Sequence, residues 1–166
     1  MKAALISIRP EWCAKIASGE KTIEVRKTRP KLDTPFKCYI YCTLQGCNDF
    51  FRVDLGGDVA KWNRGKWADR KGKVVGEFIC DRIYELAPLN HAPDDVEKQA
   101  CLTREEIVNY LKGTGYGWHI SDLRIYDEAR ELASLTGLRA TRFGAAPYDI
   151  KRAPQSWCYV EETDND

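Results

Sequence analysis

The side chains best placed for chemistry lie within six positions, Lys21, Thr22, Glu24 and Arg26, in the run Ser18-Gly19-Glu20-Lys21-Thr22-Ile23-Glu24-Val25-Arg26-Lys27. A lysine amine partners phosphate or carbonyl oxygen and becomes a base when burial lowers its pKa. Glu24 is suited to accept from an exocyclic amine, orient Lys21 or carry a proton. Arg26 is suited to hold Glu24 in a planar fork or to bind phosphate. Ile23 and Val25 alternate with these groups, so a strand would carry the apolar pair on one face and the polar set on the other. A structural strand needs only the apolar face. The polar set either lies in water as a charged edge with cross-strand ion pairs or lines a polar pocket, and spacing leaves both open.

Three further constellations stand out. Residues 61–73 hold Lys61, Arg64, Lys66, Arg70, Lys71 and Lys73 against Asp69 alone, with Trp62 and Trp67 interleaved. Cations for phosphates and aromatic faces for bases are the means of gripping single-stranded nucleic acid; the alternative is a solvated loop whose tryptophans fold back as packing anchors. Later, Tyr116, Trp118 and Trp157 offer stacking faces beside Gln155 and Ser156, which can read a base edge, or else the aromatics are core. Cys38, Cys42 and Cys47 are close in sequence, but the spacing is not that of a zinc site, and small core side chains are the expectation. No metal or cofactor signature is present, nor a phosphate-binding glycine loop, a nucleophile elbow or a metalloprotease helix.

The elements that must position these groups follow from periodicity. Ala3–Ile8 reads as a buried strand, and Pro10 opens a helix with Trp12, Cys13, Ile16 and Ala17 at helical spacing, stopped by Gly19. The motif strand comes next, ending near Pro30. Phe36–Thr43 is β-prone, 45–72 is a long basic connection, and Lys73–Tyr84 is a long strand with Gly76 as a bulge. Thr103 and Glu106 form a capping box for a helix that Gly113 stops. Tyr116–Ile120 and Leu123–Tyr126 read as two short strands, Ala133–Ala153 as mostly loop, Ser156–Val160 as the last strand, and Glu161–Asp166 as a frayed end. The pattern is α+β: a small mixed sheet or barrel with two flanking helices, in a single domain over 1–166.

The chain has 166 residues, 26 basic and 25 acidic, and a formal net charge of +1, so global charge argues neither for nor against a nucleic-acid partner. No apolar run approaches the ~20 residues that span a bilayer, so a membrane-spanning helix is not expected, and Met1–Pro10, with too short an apolar stretch for a signal peptide, reads as a first strand. A cytoplasmic location with reduced thiols is the expectation; the seven cysteines do not suit a closed disulfide framework.

With Gly19, Lys21, Glu24 and Arg26 in a Gly-x-Lys-x-x-Glu-x-Arg pattern after the first helix, the chain resembles the ASCH domain, a branch of the PUA-like superfamily. Ser7-Ile8-Arg9-Pro10, Gly72-Lys73-Val74-Val75-Gly76-Glu77-Phe78, Gly117-Trp118-His119-Ile120 and Pro154-Gln155-Ser156-Trp157 agree with it, so the likeness spans nearly the whole chain. The resemblance implies a PUA-like β-barrel with helices packed around it and a cleft into which the motif strand projects, binding RNA or modified nucleosides. The expected ligand contacts are Lys21, Thr22, Glu24, Arg26, Arg9, Trp118, Gln155 and Ser156, with Lys61, Arg64, Lys66, Arg70 and Lys71 on the nucleic-acid backbone. One branch of the family hydrolyses N4-acylated cytidines with the motif lysine, a threonine three positions later and a later glutamate. Lys21 matches; the threonine position is Glu24, and only Glu97 and Glu105 are nearby candidates for the glutamate. Some ASCH proteins are reported as ribonucleases, which suits a metal-free Lys-Glu-Arg cluster. The leading expectation is an RNA- or nucleotide-binding module, the rival a small hydrolase using Lys21 and Glu24, and the third a protein-interaction domain.

Overall fold

The computed structural model describes residues 1–44, 68–86 and 92–164. Eight strands form one mixed sheet: β1 (Lys2–Ile8), β2 (Ile23–Arg26), β3 (Phe36–Cys42), β4 (Lys73–Glu85), β5 (Tyr116–Arg130), β6 (Thr136–Thr141), β7 (Gly144–Asp149) and β8 (Trp157–Glu161). Their order is β2-β5-β4-β3-β1-β8-β6-β7. β1 runs parallel to β3, and the other described pairs are antiparallel. Among the described residues three α-helices accompany it: α1 (Pro10–Ala17), α2 (Val96–Ala100) and α3 (Arg104–Leu111).

β1 sits in the middle of the sheet and is buried on both faces, which is why it reads as a continuous apolar run rather than an alternation. Ala4, Ile6 and Ile8 join Cys38, Ile40, Cys42, Phe78 and Trp118 in a core that takes Cys13 and Ile16 from α1. Ala3 and Leu5 point to the opposite core with Tyr39, Val74, Tyr126 and Val160. A third cluster packs Ile23 and Val25 of β2 against Val96, Ala100, Ile107 and Leu111 of α2 and α3. The apolar face of the motif strand therefore goes to the helices, and its polar face turns inward.

Several expectations are met. The Thr103–Glu106 capping box forms, with reciprocal bonds of 3.1 and 3.2 Å. Gly19 follows the end of α1 at φ 83, the left-handed conformation that glycine adopts without strain. The β4 ladder shifts register at Gly76, on both of its neighbours. Others are corrected. Tyr116 to Arg130 is one strand, with Asp122 at φ 46 where the two short strands were expected to part. Within 133–153, expected to be mostly loop, β6 and β7 form a regular hairpin. Helix α2 was not expected at all. The acidic end is not frayed through Thr163, since Glu162 N donates to Met1 O at 2.8 Å and Thr163 N to Tyr39 Oη at 2.9 Å. The sheet does not close into a barrel by its ladder: the order ends on β2 at one side and β7 at the other, with no pairing between them among the described residues.

Gly76 is required at its place. A Cβ there would lie 2.5 Å from Arg124 O on the paired strand, against backbone that cannot swing aside. Gly76→Ala is expected to cost about 1–3 kcal/mol, as overpacking does. In a thermal melt this appears as a Tm lowered by roughly 2–4 °C for each kcal/mol.

Candidate functional site

The motif strand is fixed from three sides. Lys21 N donates to Lys15 O at 2.9 Å, Thr22 N to Gln99 O at 2.8 Å, and Ile120 N to Thr22 O at 2.9 Å. β2 then pairs with β5, placing Glu24 opposite Trp118 and Arg26 opposite Tyr116. Thr22 is spent locally, its hydroxyl donating to Gln99 Oε1 at 3.2 Å.

Lys21, Glu24 and Arg26 converge in the interior, at 3%, 7% and 9% exposure. Arg26 is the most heavily bonded. Its Nε and Nη2 donate to Glu24 Oε1 at 3.1 and 2.9 Å, Nη2 also to Ser7 O at 2.7 Å, and Nη1 to Ser156 O and Oγ at 3.4 and 3.3 Å. Lys21 Nζ donates to Ala100 O, the last residue of α2, at 2.5 Å, where the helix dipole favours a cation. The same ammonium lies 5.0 Å from the Trp12 ring centroid and 3.6 Å from Glu24 Oε2.

Among the described residues, four buried side-chain polar atoms have no hydrogen-bond partner: Glu24 Oε2, Trp118 Nε1 and both carboxyl oxygens of Glu11. Such atoms are rare in folded proteins, because each costs its desolvation without compensation. Glu24 and Trp118 are cross-strand neighbours. Glu11 belongs to the first turn of α1, and the Cys13 thiol of that helix is pushed up first by burial and further by the charges of both Glu24 and Glu11. Burial raises the Glu11 carboxyl above its ordinary value, opposed in part by the nearby amide of its own backbone, which is too poorly placed to count as a hydrogen bond, and by the charges of Arg9 and Lys71. Cys42 shares this corner: its thiol is lowered by a hydrogen bond from Cys13 and, after opposing burial, by Lys71.

The other anticipated contacts divide. Ser156 is brought to Arg26, and Arg9 is exposed just before α1. Gln155 is exposed, and Lys71 is half-buried within electrostatic reach of Glu11. Trp118 does not offer a stacking face. It is fully buried, edge-on to Phe36 at 6.0 Å and to Trp157 at 5.9 Å, so only its indole N–H remains to be used. Arg70 is not a phosphate contact either; it is 4% exposed and donates to Tyr126 O and Asp127 O at 2.6 and 2.7 Å. Glu97 pairs with exposed Arg104 at 3.1 Å, and Glu105 is exposed on α3, so neither joins Lys21. Cys38 and Cys42 are core side chains. Lys61, Arg64, Lys66, Trp62, Trp67 and Cys47 lie outside the described residues.

Glu11 is the residue that sequence reasoning missed. Its signal was slight: a carboxylate directly after Pro10 in a first helical turn looks like a dipole partner facing water. In the structure it is 5% exposed.

The comparisons with known proteins are confined to fold. No protein-family model and no curated protein matches the chain in sequence. Among solved structures it is similar to an ASCH protein from Zymomonas mobilis, at 17% identity in each of three crystal structures. The wild-type protein aligns over 96% of this chain and 88% of its own, with a TM-score of 0.57. A tyrosine-to-phenylalanine variant aligns over 98% and 92% at 0.57, and a serine-to-alanine variant over 96% and 89% at 0.54.

Two measurements test this geometry. Arg26→Met removes one partner of a buried ion pair and leaves Glu24 Oε1 without its donors and only the Lys21 charge, 3.6 Å from Oε2, beside the carboxylate, so a loss of about 3–5 kcal/mol is expected in denaturant unfolding. Glu11 behaves in the opposite sense. Its raised folded pKa means that its favourable contribution is complete below the unfolded value of 4.5 and is lost as pH rises through the folded value. Glu11→Gln should therefore melt above the wild type at pH 8, by roughly 2–4 °C, and with it at pH 4; a difference that does not depend on pH refutes this reading.

Proposed function

We propose that this chain, which has the fold of an ASCH domain, is a binding module for RNA or a nucleotide, with its polar site at the Lys21–Glu24–Arg26 strand. The observation that carries the proposal is the set of unsatisfied buried atoms on the cross-strand pair Glu24 and Trp118 and on Glu11, whose charge, like that of Glu24, acts on Cys13. Carboxyl oxygens that lack donors, Oε2 of Glu24 and both of Glu11, and an indole N–H that lacks an acceptor complement the edge of a nucleobase, which carries amino donors beside ring nitrogen or carbonyl acceptors. Arg9 and Lys71, cations whose charge reaches Glu11, are suited to hold the phosphate. Lys21 faces the ligand's carbonyl or phosphate oxygen. Arg26, with its donors engaged by Glu24, Ser7 and Ser156, acts as a positioning residue that fixes Glu24.

Isothermal titration with the four ribonucleoside monophosphates tests this. The wild type should bind at least one of them. Glu24→Gln and Lys21→Met should each weaken binding by about tenfold or more, the worth of a charge-assisted hydrogen bond. Failure of the wild type to bind any of the four, or unchanged binding by both variants, refutes the site.

The separation of Lys21 Nζ from Glu24 Oε2, 3.6 Å with both side chains more than nine-tenths buried, also favours a second reading. An ammonium that steadies a developing oxyanion beside a carboxylate that takes a proton from water is a metal-free arrangement for hydrolysing an acylated nucleoside or for cleaving RNA. Incubation with N4-acetylcytidine and short RNAs separates the two readings. Turnover that disappears in Glu24→Gln supports the enzyme, and binding without turnover supports the module.

A further inference from the structure

The β6–β7 hairpin is longer than its attachment to the sheet. β6 pairs with β8 only through Gly137↔Val160 and Leu138↔Tyr159, whereas β6 and β7 pair with each other from Thr136↔Asp149 to Thr141↔Gly144. Beyond Leu138 the ribbon runs on past its pairing with β8 by about 10 Å, at a strand's rise per residue. Because β6 and β8 are antiparallel, the overhang runs toward the Ser156 end of β8, the end at which Ser156 meets Arg26.

The tip is built, not slack. Thr141 Oγ1 donates to Gly144 O at 2.6 Å and accepts from Phe143 N at 3.2 Å, and Gly144 takes φ 111 to close the turn. This ordered turn presents Phe143 at 93% exposure. An aromatic ring held in water by a structured turn gains nothing for the fold. Arg142 stands 5.8 Å from the Phe143 ring, and Arg139 lies 5.0 Å from the Tyr148 ring. Neither guanidinium joins an ion pair among the described residues, and residues 136–148 contain no acid.

We infer that this hairpin is an arm for single-stranded RNA: Phe143 stacks on an unpaired base, and Arg139 and Arg142 contact the neighbouring phosphates of a strand that continues toward the Lys21–Glu24 site. The occupant follows from the chemistry. Exposed cations with an exposed π-face fit a backbone with splayed bases, and Phe143 is the one large apolar side chain in residues 139–147, which is little for the core of a protein interface. The inference rests on the nucleotide reading of the site and adds a second point of contact to it.

The test uses the full chain, a 5′-fluorescein single-stranded 12-nucleotide RNA of mixed sequence and a ribonucleoside monophosphate that the wild type binds. Every altered side chain is exposed, so thermal melts should match the wild type. Phe143→Ala is expected to weaken oligonucleotide binding about 5- to 150-fold and leave mononucleotide binding unchanged. The pair Arg139→Gln with Arg142→Gln is expected to reduce the slope of log K against log salt by about 1.4, for two phosphates on a single strand. Oligonucleotide affinity and slope that match the wild type in both variants overturn the arm and leave the nucleotide site standing. A wild type that binds mononucleotide but no oligonucleotide does the same, and a wild type that binds neither removes both. Binding of anionic phosphatidylserine vesicles that depends on Phe143, without an effect on RNA, overturns the arm in favour of a membrane contact.

Discussion

The guanidinium of Arg26 joins parts of the sheet that its ladder keeps apart. β2 stands at one end of the strand order, while β1 and β8 lie near the middle and beyond. Hydrogen bonds of 2.7 Å to Ser7 O and about 3.3 Å to Ser156 fold the β2 edge back across the core onto those strands. The sheet thus curls without closing, and one side chain spans the gap that a ladder would fill in a true barrel. Ser7 reinforces the seam, its hydroxyl donating to Pro154 O at 2.6 Å. The positions of Glu24 and Lys21 depend on this seam.

Burying two cations and one carboxylate is expensive, and the cluster tolerates it because almost every donor is used. Lys21 has a helix-end carbonyl, an aromatic ring and a carboxylate around it; Arg26 has two backbone carbonyls, a hydroxyl and a carboxylate. Glu24 divides its two oxygens. Oε1 receives the Arg26 fork, while Oε2 has only the more distant Lys21 charge. The carboxylate is therefore held at one oxygen by the Arg26 fork, while the other is buried without a hydrogen-bond donor. Glu11 adds a second carboxyl from an independent element, α1, so that the polar interior is not the property of the motif strand alone.

Much of this was legible in the residues. The alternation of Ile23 and Val25 with Glu24 and Arg26 gave the strand and both of its faces, and Thr103 with Glu106 gave the start of α3. The solvated edge and the buried site could not be separated by spacing, because both need the same alternation; what separates them is α2 and α3 covering one face and β1 and β8 receiving the other. Trp118 misled for the same reason: a tryptophan in a strand has one sequence signature whether its ring faces water or Phe36. Arg70 sits within a basic run, but two carbonyls of β5, more than fifty positions away, take it out of that run. The β6–β7 hairpin was obscured by Ala140, Ala145, Ala146 and Pro147, residues of low strand propensity that tertiary pairing overrides.

The pairing of β1 with β8 bears on the order in which this molecule acquires its structure. The two strands lie at opposite ends of the sequence yet adjoin at the centre of the sheet, and the Ser7–Pro154 and Arg26–Ser156 contacts are 147 and 130 positions apart. Contacts of such separation form late, because the intervening chain must first be drawn together. Until β8 docks, Arg26 lacks Ser156 and Glu24 lacks its anchored partner. A chain still emerging during synthesis would carry the whole motif strand before the β8 segment that receives Arg26, so the arrangement of Lys21, Glu24 and Arg26 depends on residues more than a hundred positions further on.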